Sequence, residues 1–517
     1  MPPLEIQVVR HHYSERPEHH ILADTKPGTA WTSYLPWKTS ASGESRTRKD
    51  GRRPFAGRIT SSSTISEGGK SVNHDEPLTS RSTAENITGF RNPWQSWHQP
   101  THGEVWRSLQ WGLDKDPCID LGAKRALDAP SNDIENILNS REKQAAALLR
   151  IVKPDFTFDS QKHRARVTWL GHAGVLIQLP PLKQGAKPVR LLFDPIFSMR
   201  CSPSQLAGPL RSYPPPCAVE DLPEIDVFVI SHNHYDHLDY DTVLKVWERN
   251  KQHLRFVVPL ANRQWIINCG ISEDRVTELD WWDAASLTSS SHDRGEVYES
   301  AIRLTCTPAQ HNSGRGFDSN ETLWSSWYLE HPGTKAASQP YRIFFAGDTG
   351  YQFHDSPGWP PPPPSAAENL QSYDYPACPG FEEIADRLGS PHLLLMPVSV
   401  GATHDFVRSL TFMPDATNPV PRHTPGVTAH NHMPPWDAVR VLRLMTKKQS
   451  AAEASPVAIA MHWGTWAEPE EVLKTLGQLE WACVAHKVQF ARELGASRSA
   501  GKTACFLAIN HGQSVDV

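Results

Sequence analysis

Residues 226–247 read DVFVISHNHYDHLDYDTVLKVW. Val227 to Ile230 form a short apolar run suited to a buried strand, and from about Thr242 apolar positions recur at helical spacing. Between them stand His232, His234, Asp236 and His237. While the chain stays extended, His232, His234 and Asp236 share one side; the turn into the helix carries His237 toward a neighbouring position. Three imidazoles and a carboxylate at a strand end supply nitrogen with some oxygen, a donor set that borderline first-row metals favour. A surface cluster or a purification tag is the plain alternative, and neither is expected directly after a buried strand.

One such motif cannot close two metal positions, so further ligands should lie at other strand ends. Three segments repeat the placement: IRLTC leads to His311, RIFFA to Asp348, and VAIAM to His462, each beside Gly or Pro turn chemistry. Singly, a histidine of this kind is more often structural; the recurrence reverses that weighting. Around these runs lie further candidate strands, RVTWL, VLIQL, VRLLF, LRFVV, LWSSWYLE, HLLLMP and CFLAI, with helical stretches DTVLKVWERN, FEEIADRL, WDAVRVLRLM and PEEVLKTLGQLE between several of them. SNDIENILNSREKQAAALLRIV, beginning at Ser131, adds a capped helical pattern. Many strands with interspersed helices predict a layered α/β or α+β domain.

Composition bounds the rest. The 517 residues carry 52 basic and 57 acidic side chains, a net charge of −5 that advertises no nucleic-acid partner. The 44 prolines disfavour long helical arrays, and the 25 histidines hint at metal chemistry. No apolar run reaches the ~18–20 residues that span a bilayer, and the first residues lack a secretory signal. Eight cysteines without a C-x-x-C pair read as reduced thiols, so an intracellular protein, free or at a membrane surface, is expected. Lys38 to Thr88 holds 17 Ser or Thr and only six of Val, Ile, Leu and Phe. Too little apolar surface is available there to offset ordering entropy, which predicts a disordered extension over 1–88 before one domain at 89–517. Two insertions interrupt that domain, at 352–377 around five consecutive prolines and at 403–428. Trp94, Trp97, Trp106 and Trp111 crowd one segment, either packed on the sandwich or forming an interfacial docking surface.

The sequence resembles the metallo-β-lactamase superfamily, whose pattern is H-x-H-x-D-H followed by a distant His, Asp and His. Within it the likeness is greatest to the N-acyl-phosphatidylethanolamine-hydrolysing phospholipase D family. It runs from about Asn92 to the C-terminal region and rests on NPWQSW, VTWLGHA, DPIF, CSPSQLAGP, ISHNHYDHLDY, ELDWW, TPAQH, FFAGDTGY, FEEI and HWGT. The resemblance implies an αβ/βα sandwich holding two Zn2+ ions. His232, His234 and His311 would hold one ion, Asp236, His237 and His462 the other, and Asp348 would bridge them. It also implies hydrolysis of N-acylphosphatidylethanolamine to N-acylethanolamine and phosphatidic acid by a peripheral membrane enzyme, in a family that is dimeric. Asp236 and Asp348 would then be catalytic as well as ligating, the metals activating a water and stabilising charge on phosphorus.

Other positions carry weaker signals. His432 resembles a family histidine beside the metals, able to contact phosphate or protonate a leaving oxygen, although the loop before it departs from the family wording; a surface histidine is its plain reading. Arg315, four residues after His311, can face an anionic head group or simply be solvated. His172 in LGHAG is read as a turn residue in preference to a partner of the metal ligands. Alternatives to the phospholipase are a hydrolase of the same fold acting on another phosphodiester, a lactone or a thioester. Less favoured is a metal-binding interaction protein recruiting partners through its polyproline run.

Overall fold

The computed structural model describes residues 4–22, 87–112, 116, 118–127, 141–159, 164–182, 187–288, 301–333, 340–355, 375–399, 408, 413, 417–450, 453–466, 469–494 and 503–517. They divide into one unit of residues 1–19 with 89–517 and a second of residues 20–88, of which only 20–22 and 87–88 are described.

Two sheets organise the first unit. The larger has nine strands among the described residues, in the order Glu5–Val9, Ala284–Thr288, Ile302–Thr307, Ser326–His331, Tyr341–Phe345, Leu393–Pro397, Val457–Met461, Cys505–Leu507 and Gln489–Ala491. The smaller has seven: Val276–Leu279, Arg255–Pro259, Val227–Val229, Val189–Phe193, Gly174–Leu179, Arg166–Gly171 and Ser514–Asp516. Runs such as LLLMP and VAIAM are buried at every position, as central strands covered on both faces require. In the smaller sheet, Leu170, Leu176, Leu192, Phe228, Phe256 and Val258 join Val243, Val246 and Ile266 of helices Tyr240–Asn250 and Arg263–Asn268 in one core. The sheets meet on the opposite side, where the tilted rings of Phe193 and Phe345 pack at 4.8 Å and Trp327 Nε1 donates to the Ile230 carbonyl at 3.0 Å. Helix Pro469–Ala485 packs with helices Cys118–Leu127, Arg141–Leu148 and Pro435–Met445 to form an outer layer. Helix, sheet, sheet and helix make the expected αβ/βα sandwich.

The expectation of disorder across 1–88 fails at its start. Glu5–Val9 pairs antiparallel with Ala284–Thr288, and the residues after it clamp the Asp280–Asp283 turn. Arg10 Nη1 and the His11 amide donate to the Asp283 carboxylate at 2.6 and 2.7 Å, Tyr13 donates to the Trp281 carbonyl, and His19 meets Asp280 at 2.7 Å. A short polar strand at a sheet edge, EIQVV, carries too little apolar signal to stand out. The Ser/Thr-rich run itself lies outside the described residues, as do the five prolines and residues 128–140, where the capped helix was expected to begin. The insertion at 352–377 is closed at its base by a bridge between Gln352 and Ala377. The expected loop at 403–428 contains a strand, Arg422–His423, paired with Leu109–Gln110, and a 3-10 turn at Pro425–Thr428.

Candidate metal centre

Four strand ends deliver the ligands to one edge of the sandwich. Val227–Val229 leads to His232, His234, Asp236 and His237; Ile302–Thr307 leads to His311; Tyr341–Phe345 leads to Asp348; Val457–Met461 leads to His462. Backbone geometry at these exits is unusual. His462 has φ of 61° and Gly347, immediately before Asp348, of 59°; Asp194, at the end of the neighbouring strand Val189–Phe193, has 39°. A Cβ on Gly347 would lie 2.8 Å from that of Ser231, so only glycine lets this turn approach the histidine strand.

The structure brings all seven expected ligands together, buried. His232 Nε2 lies 2.8 Å from His234 Nδ1, and His311 Nε2 lies 3.3 Å from the same atom. Asp348 Oδ2 stands 3.9 Å from His232 Nε2, 3.7 Å from His311 Nε2 and 3.2 Å from His237 Nε2, while Oδ1 stands 2.8 Å from His462 Nε2. Asp236 Oδ2 is 3.6 Å from Nε2 of both His237 and His462. Thus His232, His234, His311 and Asp348 form one group, and Asp236, His237 and His462 belong to a second that also includes His172.

The outward nitrogens explain which atoms are left for a metal. His237 Nδ1 faces Asp194 Oδ2 at 2.8 Å, His234 Nε2 the Gly314 carbonyl at 2.9 Å, and His311 Nδ1 the Asn431 carbonyl at 3.1 Å. Acceptors of this kind require the hydrogen on the outward nitrogen, so the inward lone pair is free to bind. Ser231 Oγ donates to Asp194 and so accepts from His232 Nδ1; Ser399 Oγ sits 2.8 Å from His462 Nδ1. His237 Nε2, His462 Nε2 and both Asp348 oxygens are buried and face one another at 2.8 to 3.2 Å without a well-aligned hydrogen bond. Such orphaned, convergent nitrogen and oxygen atoms fit a pair of divalent cations.

Electrostatics agree. Burial holds His232 and His234 well below the ordinary histidine range and His311 at about 4, leaving them neutral. Burial opposes charge on His462 too, but Asp348 and Asp236 overcome it and push it up to about 9; His237 is raised for the same reason. Without a metal, protons supply the positive charge that two buried carboxylates demand.

The weaker candidates divide. His432 lies at the centre, its Nδ1 3.7 Å from Asp348 Oδ2 and its ring 5.1 Å from that of His311. Burial keeps its imidazole well below the usual range, with Asp348 opposing. Arg315 is half exposed, and instead of lying free it donates to Asp236 Oδ1 at 3.0 Å. His172, read as a turn residue, is one, with φ of 50°, yet its Nε2 also reaches Asp236 Oδ2 at 2.9 Å. Asp194 was missed, although it follows the apolar run VRLLF as Asp348 follows RIFFA; the same strand-end criterion finds it. Of the four tryptophans, Trp94 stacks on Trp281 at 5.6 Å and Trp97 packs edge-on to His430, whereas Trp106 and Trp111 are exposed.

Residues 189–358 match the β-lactamase superfamily domain. An uncharacterized protein of Mycobacterium tuberculosis is 30% identical over 358 residues, covering 68% of this chain and 74% of that protein. The chain belongs to the metallo-β-lactamase superfamily. N-acyl-phosphatidylethanolamine-hydrolyzing phospholipase D 1 of Caenorhabditis elegans is 30% identical over 321 residues, 60% of this chain and 68% of its own length. The mitochondrial protein of that name from Saccharomyces cerevisiae is 35% identical over 164 residues, 32% of this chain and 31% of that one. The chain is therefore a metal-binding hydrolase of this fold, distantly related to those phospholipases. Among solved structures, the diiron β-hydroxylase CmlA of Streptomyces venezuelae shares 14% identity over 69% of this chain and 54% of its own, with a TM-score of 0.36. YhfI of Bacillus subtilis shares 12% over 68% and 99%, with a TM-score of 0.32.

Proposed function

We propose that this protein is a zinc-dependent phosphodiesterase of phospholipase D type, cleaving N-acylphosphatidylethanolamine at a membrane surface. The observation that carries the reading is the convergence of His232, His234, His311, Asp236, His237, His462 and Asp348 around orphaned buried atoms, in a chain 30% identical over 321 residues to a phospholipase of that specificity. Two zinc ions held by those ligand groups would activate water at neutral pH and neutralise anionic charge.

The protein's own residues do the rest. Asp348 holds both ligand groups in one frame, and Asp194 and Ser231 lock the imidazoles in the tautomers that ligation needs. His432 offers a neutral imidazole beside Asp348, placed to hydrogen-bond a phosphoryl oxygen or the leaving oxygen. Hydrolysis adds water oxygen to phosphorus and breaks the bond from phosphorus to the ethanolamine oxygen, which leaves with a proton as N-acylethanolamine.

No helix among the described residues is long and apolar enough to cross a membrane. Access to a lipid head group then falls to the surface near Arg315. Phe317, two residues away, is fully exposed, and so nearly is Leu206. Apolar side chains on such a rim suit partial insertion into the interface. A second reading, a hydrolase of another phosphodiester, lactone or thioester, draws on Arg315 being committed to Asp236 instead of to a head group. Presenting zinc-loaded protein with mixed phospholipid vesicles and, separately, with soluble esters separates the two. Release of N-acylethanolamine supports the first reading; turnover confined to the soluble esters overturns it.

A further inference from the structure

Each oxygen of Asp236 receives one donor. Arg315 Nη2 reaches Oδ1 at 3.0 Å from the rim, and its side chain is half exposed. His172 Nε2 reaches Oδ2 at 2.9 Å from within, and its side chain is almost wholly buried. Oδ2 is also the oxygen that lies 3.6 Å from His237 Nε2 and His462 Nε2, so the buried donor acts on the atom turned toward the metal position.

Three contacts fix the backbone of His172 at the tip of the hairpin joining Arg166–Gly171 to Gly174–Leu179. Its amide donates to Thr465 Oγ1 at 3.1 Å, and its carbonyl accepts from Trp169 Nε1 at 2.7 Å and from the His462 amide at 2.8 Å. The last contact ties it to a ligand's own backbone. The left-handed φ of 50° is an unfavourable conformation for histidine, persisting here because the surroundings hold it. The ring packs 4.0 Å from that of His462.

Because a carboxylate only accepts, the ring hydrogen sits on Nε2 and Nδ1 carries the lone pair. That nitrogen lies on the far side from Asp236, and the ring's outer flank is Trp466 at 5.9 Å, itself 5.2 Å from the Arg211 guanidinium carbon. Arg211 is 5% exposed, and its Nη1 and Nε are held by the carbonyls of Ile196 and Tyr213.

We propose that His172 is a positioning residue for Asp236, holding the carboxylate so that Oδ2 is presented to the metal of the Asp236, His237 and His462 group. This rests on the two-metal reading of the site. The competing assignment, His172 as itself a ligand of that metal, predicts a different outcome.

The test compares full-length wild type with His172→Phe, which removes the donor, and His172→Gln, which keeps an N–H. Zinc equivalents and affinities are measured by chelator competition, and ligand geometry is read from the visible spectrum of the cobalt-substituted protein. Expected are two equivalents in all three proteins, with the weaker one bound roughly 10–100-fold less tightly in His172→Phe. The cobalt spectrum of His172→Phe should shift and that of His172→Gln should return toward wild type. Wild-type affinities and spectrum in His172→Phe would overturn the proposal. So would loss of a whole equivalent in both variants, which would make His172 a ligand. Wild type that holds fewer than two equivalents would instead remove the two-metal reading on which the proposal stands.

Discussion

Asp348 has imidazole nitrogens of His232, His237, His311, His432 and His462 all within 4 Å of its two oxygens. Among the described residues, no other side chain couples both ligand groups so directly. Asp348→Asn preserves size but removes the charge, and should lower bound zinc below two equivalents. Hydrolysis should fall by more than the roughly 100-fold typical of residues that only support ligands. Metal analysis and turnover on the same preparation check this. Asp194→Asn should cost about 10–100-fold in metal affinity while leaving the ligands present, because it disturbs only the His237 tautomer and the Ser231 contact. The seven ligand-type residues were legible because each side chain announces itself after an apolar strand. Asp194 was equally legible and went unused. The Gly314 and Asn431 carbonyls were not, since a backbone acceptor has no signature in the residue that bears it.

Elements were readable in proportion to their burial. Every central strand expected from an apolar run is present, whereas Glu5–Val9, Val276–Leu279, Gln489–Ala491, Ser514–Asp516 and the largely buried but small-residue strand Ala284–Thr288 are not among those expected. Short strands with a polar face carry weak periodicity, and their pairing is decided by a distant partner. Helix His102–Ser108 shows a local device that sequence spacing does encode: Thr101 and Glu104 form a reciprocal cap. Burial alone would raise the Glu104 carboxyl, but the Thr101 amide, His98, Tyr375 and the Thr101 hydroxyl outweigh it and hold it at about 2. A depressed folded-state value means stability that is present above the unfolded value of about 4.5 and is lost as pH falls through about 2. Glu104→Gln should therefore destabilise by roughly 1–2 kcal/mol at pH 7, and its gap from wild type should close across that acid window in urea titrations. Gly350 is stricter: an added Cβ would lie 2.0 Å from the His430 carbonyl group. Gly350→Ala should displace the backbone leading to His432, lowering Tm and turnover together.

At the scale of the molecule, ligands spread over 231 positions of sequence, from His232 to His462, meet because strands of both sheets end on one edge. Phe317, two residues from Arg315, is fully exposed, and so nearly is Leu206. Replacing both with serine should weaken sedimentation with phospholipid vesicles about tenfold or more, given ~1.5–3 kcal/mol for fully burying each such side chain, while turnover of a soluble phosphodiester stays unchanged. Vesicle binding equal to wild type would remove those loops from the docking surface. Fold class and ligand set were within reach of sequence because both are written in apolar runs and strand ends. The clamp of the first residues on Asp280–Asp283 was not, since it depends on pairing across more than 260 residues. One measurement tests the proposed hydrolysis directly. Zinc-loaded protein is incubated in 18O-water with vesicles containing N-acylphosphatidylethanolamine, and products are resolved by mass spectrometry. The proposed hydrolysis predicts equimolar N-acylethanolamine and phosphatidic acid, the label residing in phosphatidic acid, with both products lost on chelation and in Asp348→Asn. Intact substrate after incubation with protein holding two zinc equivalents would contradict it.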